Sequence, residues 1–210
     1  GQSIATASAD NLAKLWNLTG QQQAELKGHS KPVHSVRFSP DGQTVATASW
    51  DGTVKLWNLQ GGLKHTLQAS ETQVYRVGFS PDSKVIASVG NSPLVKLWKL
   101  DGIPLASLEG HTKSVMDVSF SPNDQLIATG SNDGTIKLWN KDSKFFMTLL
   151  RQDQPINALS FTPDSQWLIA GSGNREVLLI DVNNLTLEGL IKRGCDHLQN
   201  YRNIKSLCKN

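Results

Sequence analysis

The residues best placed to do chemistry are two histidines, each followed 22 positions later by an aspartate: His29 with Asp51, and His111 with Asp133. Hydroxyls lie between them, Thr47 and Ser49 in one set, Thr129 and Ser131 in the other. Imidazole, carboxylate and hydroxyl are the parts of a nucleophilic triad, in which histidine takes the hydroxyl proton and the carboxylate orients the ring. Two features argue against that use: the set occurs twice at one fixed offset, and neither copy has a nucleophile elbow or an oxyanion loop. No catalytic residue is expected, and the chain is read as a non-enzyme. His34 and His65 lack a second ligand at metal spacing, so no metal is expected. Gly61-Gly62 and Gly171-Ser172-Gly173 open no helix, which leaves no phosphate cradle and no cofactor site. Cys195 and Cys208 stand near one end without CxxC spacing, so neither a disulfide scaffold nor a zinc ribbon fits.

The 210 residues carry 38% apolar and 19% charged side chains, enough to bury a core and too few charges for a disordered chain. The 21 basic and 18 acidic residues leave a net charge of +3 spread along the chain, well short of the basic stripe of a nucleic-acid binder. No run approaches the apolar length of a membrane helix, and the first residues lack a signal-peptide pattern. The expectation is a soluble, cytoplasmic protein with no nucleic-acid or membrane partner.

Those histidines and aspartates are held by a repeat. Trp16-Asn17 recurs as Trp57-Asn58, Trp98-Lys99 and Trp139-Asn140, and the next 41-residue step lands on Ile180-Asp181. Ser39-Pro40-Asp41 recurs in the same register as Ser80-Pro81-Asp82, Ser121-Pro122-Asn123 and Thr162-Pro163-Asp164, and Gly28-His29 returns as Gly110-His111. Residues 28–58 and 110–140 share 19 of 31 positions without a gap, so the units are copies rather than convergent turns.

Each unit reads as four short strands. In the second these are Val33 to Ser39, Thr44 to Ser49, Thr53 to Leu59 and Leu63 to Gln68, here termed a, b, c and d; all are rich in β-favouring residues. Pro40-Asp41-Gly42 and Asp51-Gly52 supply tight turns between them. The run Val45-Ala46-Thr47-Ala48 does not alternate, as expected of a sheet covered on both faces.

With Gly-His, Ser-Pro-Asp, Asp-Gly-Thr and Leu-Trp-Asn in register over nearly the whole length, the chain resembles a WD-repeat β-propeller. It departs from that pattern where Asn or Lys follows Trp in place of Asp. The resemblance implies an all-β fold of four-stranded antiparallel blades, about five of them, with units at 1–28, 29–69, 70–110, 111–151 and 152–194 and a helical tail over 195–210. It also implies a buried hydrogen-bond network in two blades: His29, Thr47 or Ser49, Asp51 and Trp57 in the second, and His111, Thr129 or Ser131, Asp133 and Trp139 in the fourth. The third and fifth units, with Ser70 and Gln152 at the histidine position, are expected to rely on packing alone.

In the family, the start of strand a and the residue before the b–c aspartate line the top of the disc, where proteins and peptides dock. Carried over, these positions are Pro32, His34 and Trp50; Gln73, Tyr75 and Asn91; Ser114, Met116 and Asn132; and Pro155, Asn157 and Gly173. Trp50 is an indole where the other units hold Ala9, Asn91, Asn132 and Gly173. It reads either as an exposed anchor ringed by His34, Tyr75 and Met116 or as a plug over a neighbouring loop.

Strand a of the first unit is missing and Gly1 stands in place of Met, so the sequence reads as part of a longer repeat array, and its Arg193-Gly194-Cys195-Asp196 segment with the stretch that follows resembles the C-terminal ends of prokaryotic multi-repeat propeller proteins. An open arc would leave the flat sides of its end blades free for self-association. Past Arg193-Gly194, Cys195, Leu198, Tyr201, Ile204 and Leu207 suit one stripe of a short helix. The resemblance implies a non-catalytic signalling scaffold. The alternative is the sensory arm of a larger enzyme (a nucleotide-switch ATPase, a kinase or a caspase-like protease) whose catalytic domain lies upstream.

Overall fold

Turn chemistry cuts the chain into strands at regular intervals. Gly42, Ser83, Asp124 and Ser165 occupy one turn position 41 residues apart and share φ values of 70°, 61°, 59° and 60°. A second set, Asn11, Gly52, Gly134 and Arg175, also lies between 70° and 88°. Gly52 is required there twice over: besides its positive φ, a Cβ would strike the Ser70 carbonyl.

The computed structural model describes residues 3–183. Five antiparallel sheets follow one another in chain order. The first holds β1 (Ser3–Ala7), β2 (Leu12–Asn17) and β3 (Gln22–Lys27), and the second β4 (Val33–Phe38), β5 (Val45–Ser49), β6 (Thr53–Trp57) and β7 (Leu63–Gln68). The third contains β8 (Val74–Phe79), β9 (Val85–Gly90), β10 (Ser92–Lys99) and β11 (Pro104–Leu108); the fourth, β12 (Val115–Phe120), β13 (Leu126–Ser131), β14 (Thr135–Asn140) and β15 (Phe145–Arg151). β16 (Ile156–Phe161), β17 (Trp167–Ser172) and β18 (Val177–Asp181) make the fifth. The fold is all-β, as expected of WD blades, and no helix occurs among the described residues. The remainder of the fifth unit and the predicted helical tail lie outside the described residues.

Three predicted strands of the second unit are shorter than expected. Ser39 and Thr44 leave the ladder to close the a–b turn, with the Thr44 amide donating to Ser39 Oγ at 3.0 Å. Asn58 leaves β6 because its Oδ1 accepts the amides of Gln60 and Gly62 in the next turn. Asn17 Oδ1 likewise accepts the Thr19 and Gln21 amides and Asn140 Oδ1 the Lys144 amide, from the last residue of β2 and of β14, so an amide oxygen after Trp serves the turn as a carboxylate would.

Sheets stack through four apolar seams. Ala46, Ala48, Val54 and Leu56 of the second sheet pack on Val74, Val77, Ile86 and Trp98 of the third. The following seam repeats the scheme with Ala87, Val95 and Leu97 against Val115, Ile127 and Trp139. Each sheet therefore presents a forward face of small and aliphatic residues and a backward face that carries its Trp, or Ile180 in the fifth sheet. β5 is buried at every residue, which explains its unbroken apolar and small sequence. The a strands β4, β8, β12 and β16 lie side by side along the inner edge of the arc.

Candidate functional site

The two His–Asp sets form the same chain of hydrogen bonds. In the second sheet the Trp57 indole donates to Thr47 Oγ1 at 2.9 Å, and Thr47 Oγ1 lies 2.7 Å from His29 Nε2. His29 Nδ1 is 2.8 Å from Asp51 Oδ2, which also accepts the Ser30 amide. Asp51 Oδ1 accepts the Thr53 amide and hydroxyl. One proton arrangement satisfies the whole chain: Trp57 donates to Thr47, Thr47 to a neutral His29, and His29 Nδ1–H to ionised Asp51. The fourth sheet repeats it through Trp139, Thr129, His111 and Asp133 at 2.9, 2.8 and 3.0 Å.

Electrostatics agree with that arrangement. Burial is the main influence on both histidines and lowers their pKa from 6.5 despite the aspartate partners, which keeps the rings neutral. Burial alone would raise Asp51, but the Thr53 hydroxyl and amide, His29 and the Ser30 amide bring it down to about 2. Asp133 is held still lower by Thr135, Thr112 and His111. Thr47, Ser49, Thr129 and Ser131 are all buried, and the threonines link the rings. Ser49 and Ser131 instead donate to the Lys31 and Lys113 carbonyls at 2.9 and 3.2 Å, and accept the amides of Asp51 and Asp133. With its hydroxyl shared between an indole donor and an imidazole acceptor, the threonine is a structural link and not a free nucleophile.

The third and fifth sheets are not held by packing alone. Trp98 donates to Ser88 Oγ at 3.0 Å, and Gln152 reaches Ser172 Oγ from the histidine position. The first sheet keeps the Trp16–Thr6 bond at 2.9 Å. Each of the four strand-c tryptophans, Trp16, Trp57, Trp98 and Trp139, keeps a hydroxyl acceptor for its indole N–H. At the position of Ser49 and Ser131 the third sheet has Gly90, where any Cβ would strike the Gln73 carbonyl.

The top-face candidates are brought together by a repeated backbone bond. The amides of Trp50, Asn91, Asn132 and Gly173 donate to the carbonyls of Pro32, Gln73, Ser114 and Pro155 at 2.8–3.1 Å. A β-bulge also recurs at one place in each a strand. Register slips between Val33 and Ser35, Val74 and Arg76, Val115 and Asp117, and Ile156 and Ala158, which makes His34, Tyr75, Met116 and Asn157 the extra residues. Bulges of this kind re-aim side chains and end regular pairing.

Around the first two bulges the side chains cluster. The His34 ring stacks on Trp50 at 5.8 Å and 20°, and lies 6.0 Å from Tyr75. Trp50 is half-buried, and its Nε1 is enclosed without an acceptor. Ser114 Oγ donates to Asn91 Oδ1 at 2.8 Å, tying the third and fourth units. Met116 stands in the fourth sheet, with the third between it and Trp50, so the ring around Trp50 is His34 and Tyr75 rather than the three residues expected.

Two charged residues escaped the sequence reading. Arg76 lies 2.9 Å from His34 Nδ1 and donates to the Tyr75 carbonyl at 3.3 Å, bridging the two bulges. Asp117, at the equivalent position one unit on, accepts the Leu159 and Val118 amides at 2.8 and 2.9 Å. Burial pushes its pKa up, against those bonds and the charges of Arg76 and Arg37. The available signal was a charge just after the bulge, where the other units hold Ser35 and Ala158.

Comparison with known families matches the chain to the one described as "WD domain, G-beta repeat", over residues 20–58, 61–99, 102–140 and 143–181. The matched stretches start and stop on the 41-residue period and each ends at the Trp-Asn position or its equivalent. No curated protein matches the chain.

Proposed function

Because this chain belongs to the WD-domain, G-beta repeat family, whose repeats generally mediate protein–protein interaction, we propose that it is a non-catalytic scaffold that docks a protein or peptide beside the His34 and Tyr75 bulges. The observation that carries this reading is the Trp50–His34–Tyr75 cluster. An indole face and two further rings stand at the bulged ends of β4 and β8, braced by Arg76, while the residues that hold the blades together are buried elsewhere. Rigid aromatics half-open to solvent are the commonest anchors of protein recognition. The Arg76 guanidinium beside the rings adds donors suited to a carbonyl or carboxylate of the docked segment. The His–Asp chains are occupied by structural bonds and take no part.

Panning a random peptide display library on the chain tests the proposal. Recovered peptides should lose about tenfold or more in affinity on Trp50→Ala, the scale of an anchor worth ~1.4 kcal/mol or more. Equal affinity for wild type and Trp50→Ala, with both folded, overturns it.

A further inference from the structure

The seam between the third and fourth sheets departs from its neighbours at the a–b turn end of the blades. In the seams on either side, the Asp41 amide donates to Ser83 Oγ and the Asn123 amide to Ser165 Oγ, both at 3.0 Å. Asp124 holds the serine position here, and the Asp82 amide makes no such bond. A cleft of about 210 Å³ opens instead. Val85, Leu105, Phe120 and Leu126 give it apolar walls, while Asp82, Asp124 and Asp142 set three carboxylates against the single cation Lys141.

A lysine already occupies the corresponding place in the second sheet. Lys64 stands one repeat step before Leu105, and its Nζ donates to Thr44 Oγ1 at 3.0 Å and to the Gln43 carbonyl at 3.5 Å. The ammonium lies near Asp41, the counterpart of Asp82, whose pKa is lowered first by the Ser39 hydroxyl and also by the Lys64 charge. Leu105 supplies an apolar side chain in that place but no charge. Asp124 makes no ion pair among the described residues, and burial together with the Asp82 charge raises its pKa against Lys141 and Lys84. Lys84 meets Asp82 at 3.5 Å, but that pair is exposed and screened by solvent. We propose that the cleft docks a lysine side chain presented by a partner protein, its aliphatic stem against Leu105 and Phe120 and its ammonium between Asp82 and Asp124. Lysine buries its stem along apolar surface while its charged head stays at a polar rim. Small-molecule sites span about 300–1,000 Å³, so a smaller cleft suits one side chain. This contact lies at the other end of the blades from the Trp50 cluster and does not depend on docking there.

Amide NMR of the isotope-labelled 210-residue chain, titrated with Nα-acetyl-lysine N-methylamide as the probe, tests the proposal. Saturable shifts should appear at the Asp82 and Asp124 amides, and the norleucine analogue, which lacks the ammonium, should bind about fivefold or more weakly. Two variants should weaken binding of the lysine probe by a similar factor. Asp124→Ser removes a carboxylate and restores the clasp, and Leu105→Lys fills the cleft from within as Lys64 does in the second sheet; Leu105 is 46% exposed, so the change is compatible with the fold. Trp50→Ala should bind the probe as the wild type does, because the aromatic cluster lies at the opposite end. No saturable shift at Asp82 and Asp124 in the wild type overturns the proposal. Equal binding of the norleucine analogue or of capped arginine, undiminished binding in either cleft variant, or loss of binding in Trp50→Ala overturns it equally.

Discussion

Trp57 and His29 meet on a single atom: the indole nitrogen and the imidazole Nε2 stand 2.9 and 2.7 Å from Thr47 Oγ1. Only a hydroxyl can accept from one ring and donate to the other. Thr47→Val, close to isosteric, should therefore cost about 1–3 kcal/mol by leaving two buried groups unmatched. Urea denaturation gives the value, and Thr129→Val should behave alike in the fourth sheet. An unchanged midpoint with unchanged slope removes the network from the account of stability.

Two tryptophans predict opposite outcomes for one substitution. Trp57→Phe removes a donor that Thr47 uses and should destabilise by about 1–2 kcal/mol. Trp50→Phe removes a buried N–H that has no acceptor, so stability should hold or rise slightly. Melting temperatures of the two variants, recorded side by side, decide the matter; equal losses contradict the assignment.

Acid should weaken the fold in two stages. The histidine pKa values are lowered by burial, so between the folded values and 6.5 the unfolded chain binds more protons and stability falls as pH drops. Asp51 and Asp133 are lowered as well, so their contribution is present above about 3.8 and is lost as pH falls toward about 2 for Asp51. The His29→Gln/His111→Gln double variant should show a flatter dependence of melting temperature on pH between 7 and 5 than the wild type. Parallel curves count against neutral rings.

At the opposite ends of the blades, the a–b turns clasp one another except at one seam. The Asp41 amide donates to Ser83 Oγ and the Asn123 amide to Ser165 Oγ, both at 3.0 Å. The third-to-fourth seam has Asp124 at the serine position, its pKa raised by burial and by the Asp82 charge. A cleft of about 210 Å³ opens there, lined by Asp82, Asp124 and Leu105 among others. Asp124→Ser should restore the clasp and raise stability by about 0.5–1.5 kcal/mol. A loss of stability in thermal melts overturns this reading.

The period, the strand order and the turn positions were legible in the sequence because they rest on local chemistry copied several times. Pro-Asp-Gly bends the chain wherever it stands, and β-rich runs between such bends become strands. The sets His29, Asp51, Trp57 and His111, Asp133, Trp139 were readable from register for the same reason, as were the positions at which Trp50 and Pro32 meet. Choosing Thr47 over Ser49 as the ring link was not readable, since both residues point to one face of β5 and only the reach of the His29 ring separates them. Nor were the bulges at His34 and Tyr75, the bracing of their rings by Arg76, or the Ser88 and Ser172 bonds that hold the units without a histidine. The bracing depends on how one sheet lies against the next, a matter of packing between segments some 40 residues apart that the sequence of a single unit does not encode; the bulges and the serine bonds lie within single sheets, where the register of paired strands and the reach of a side chain decide them.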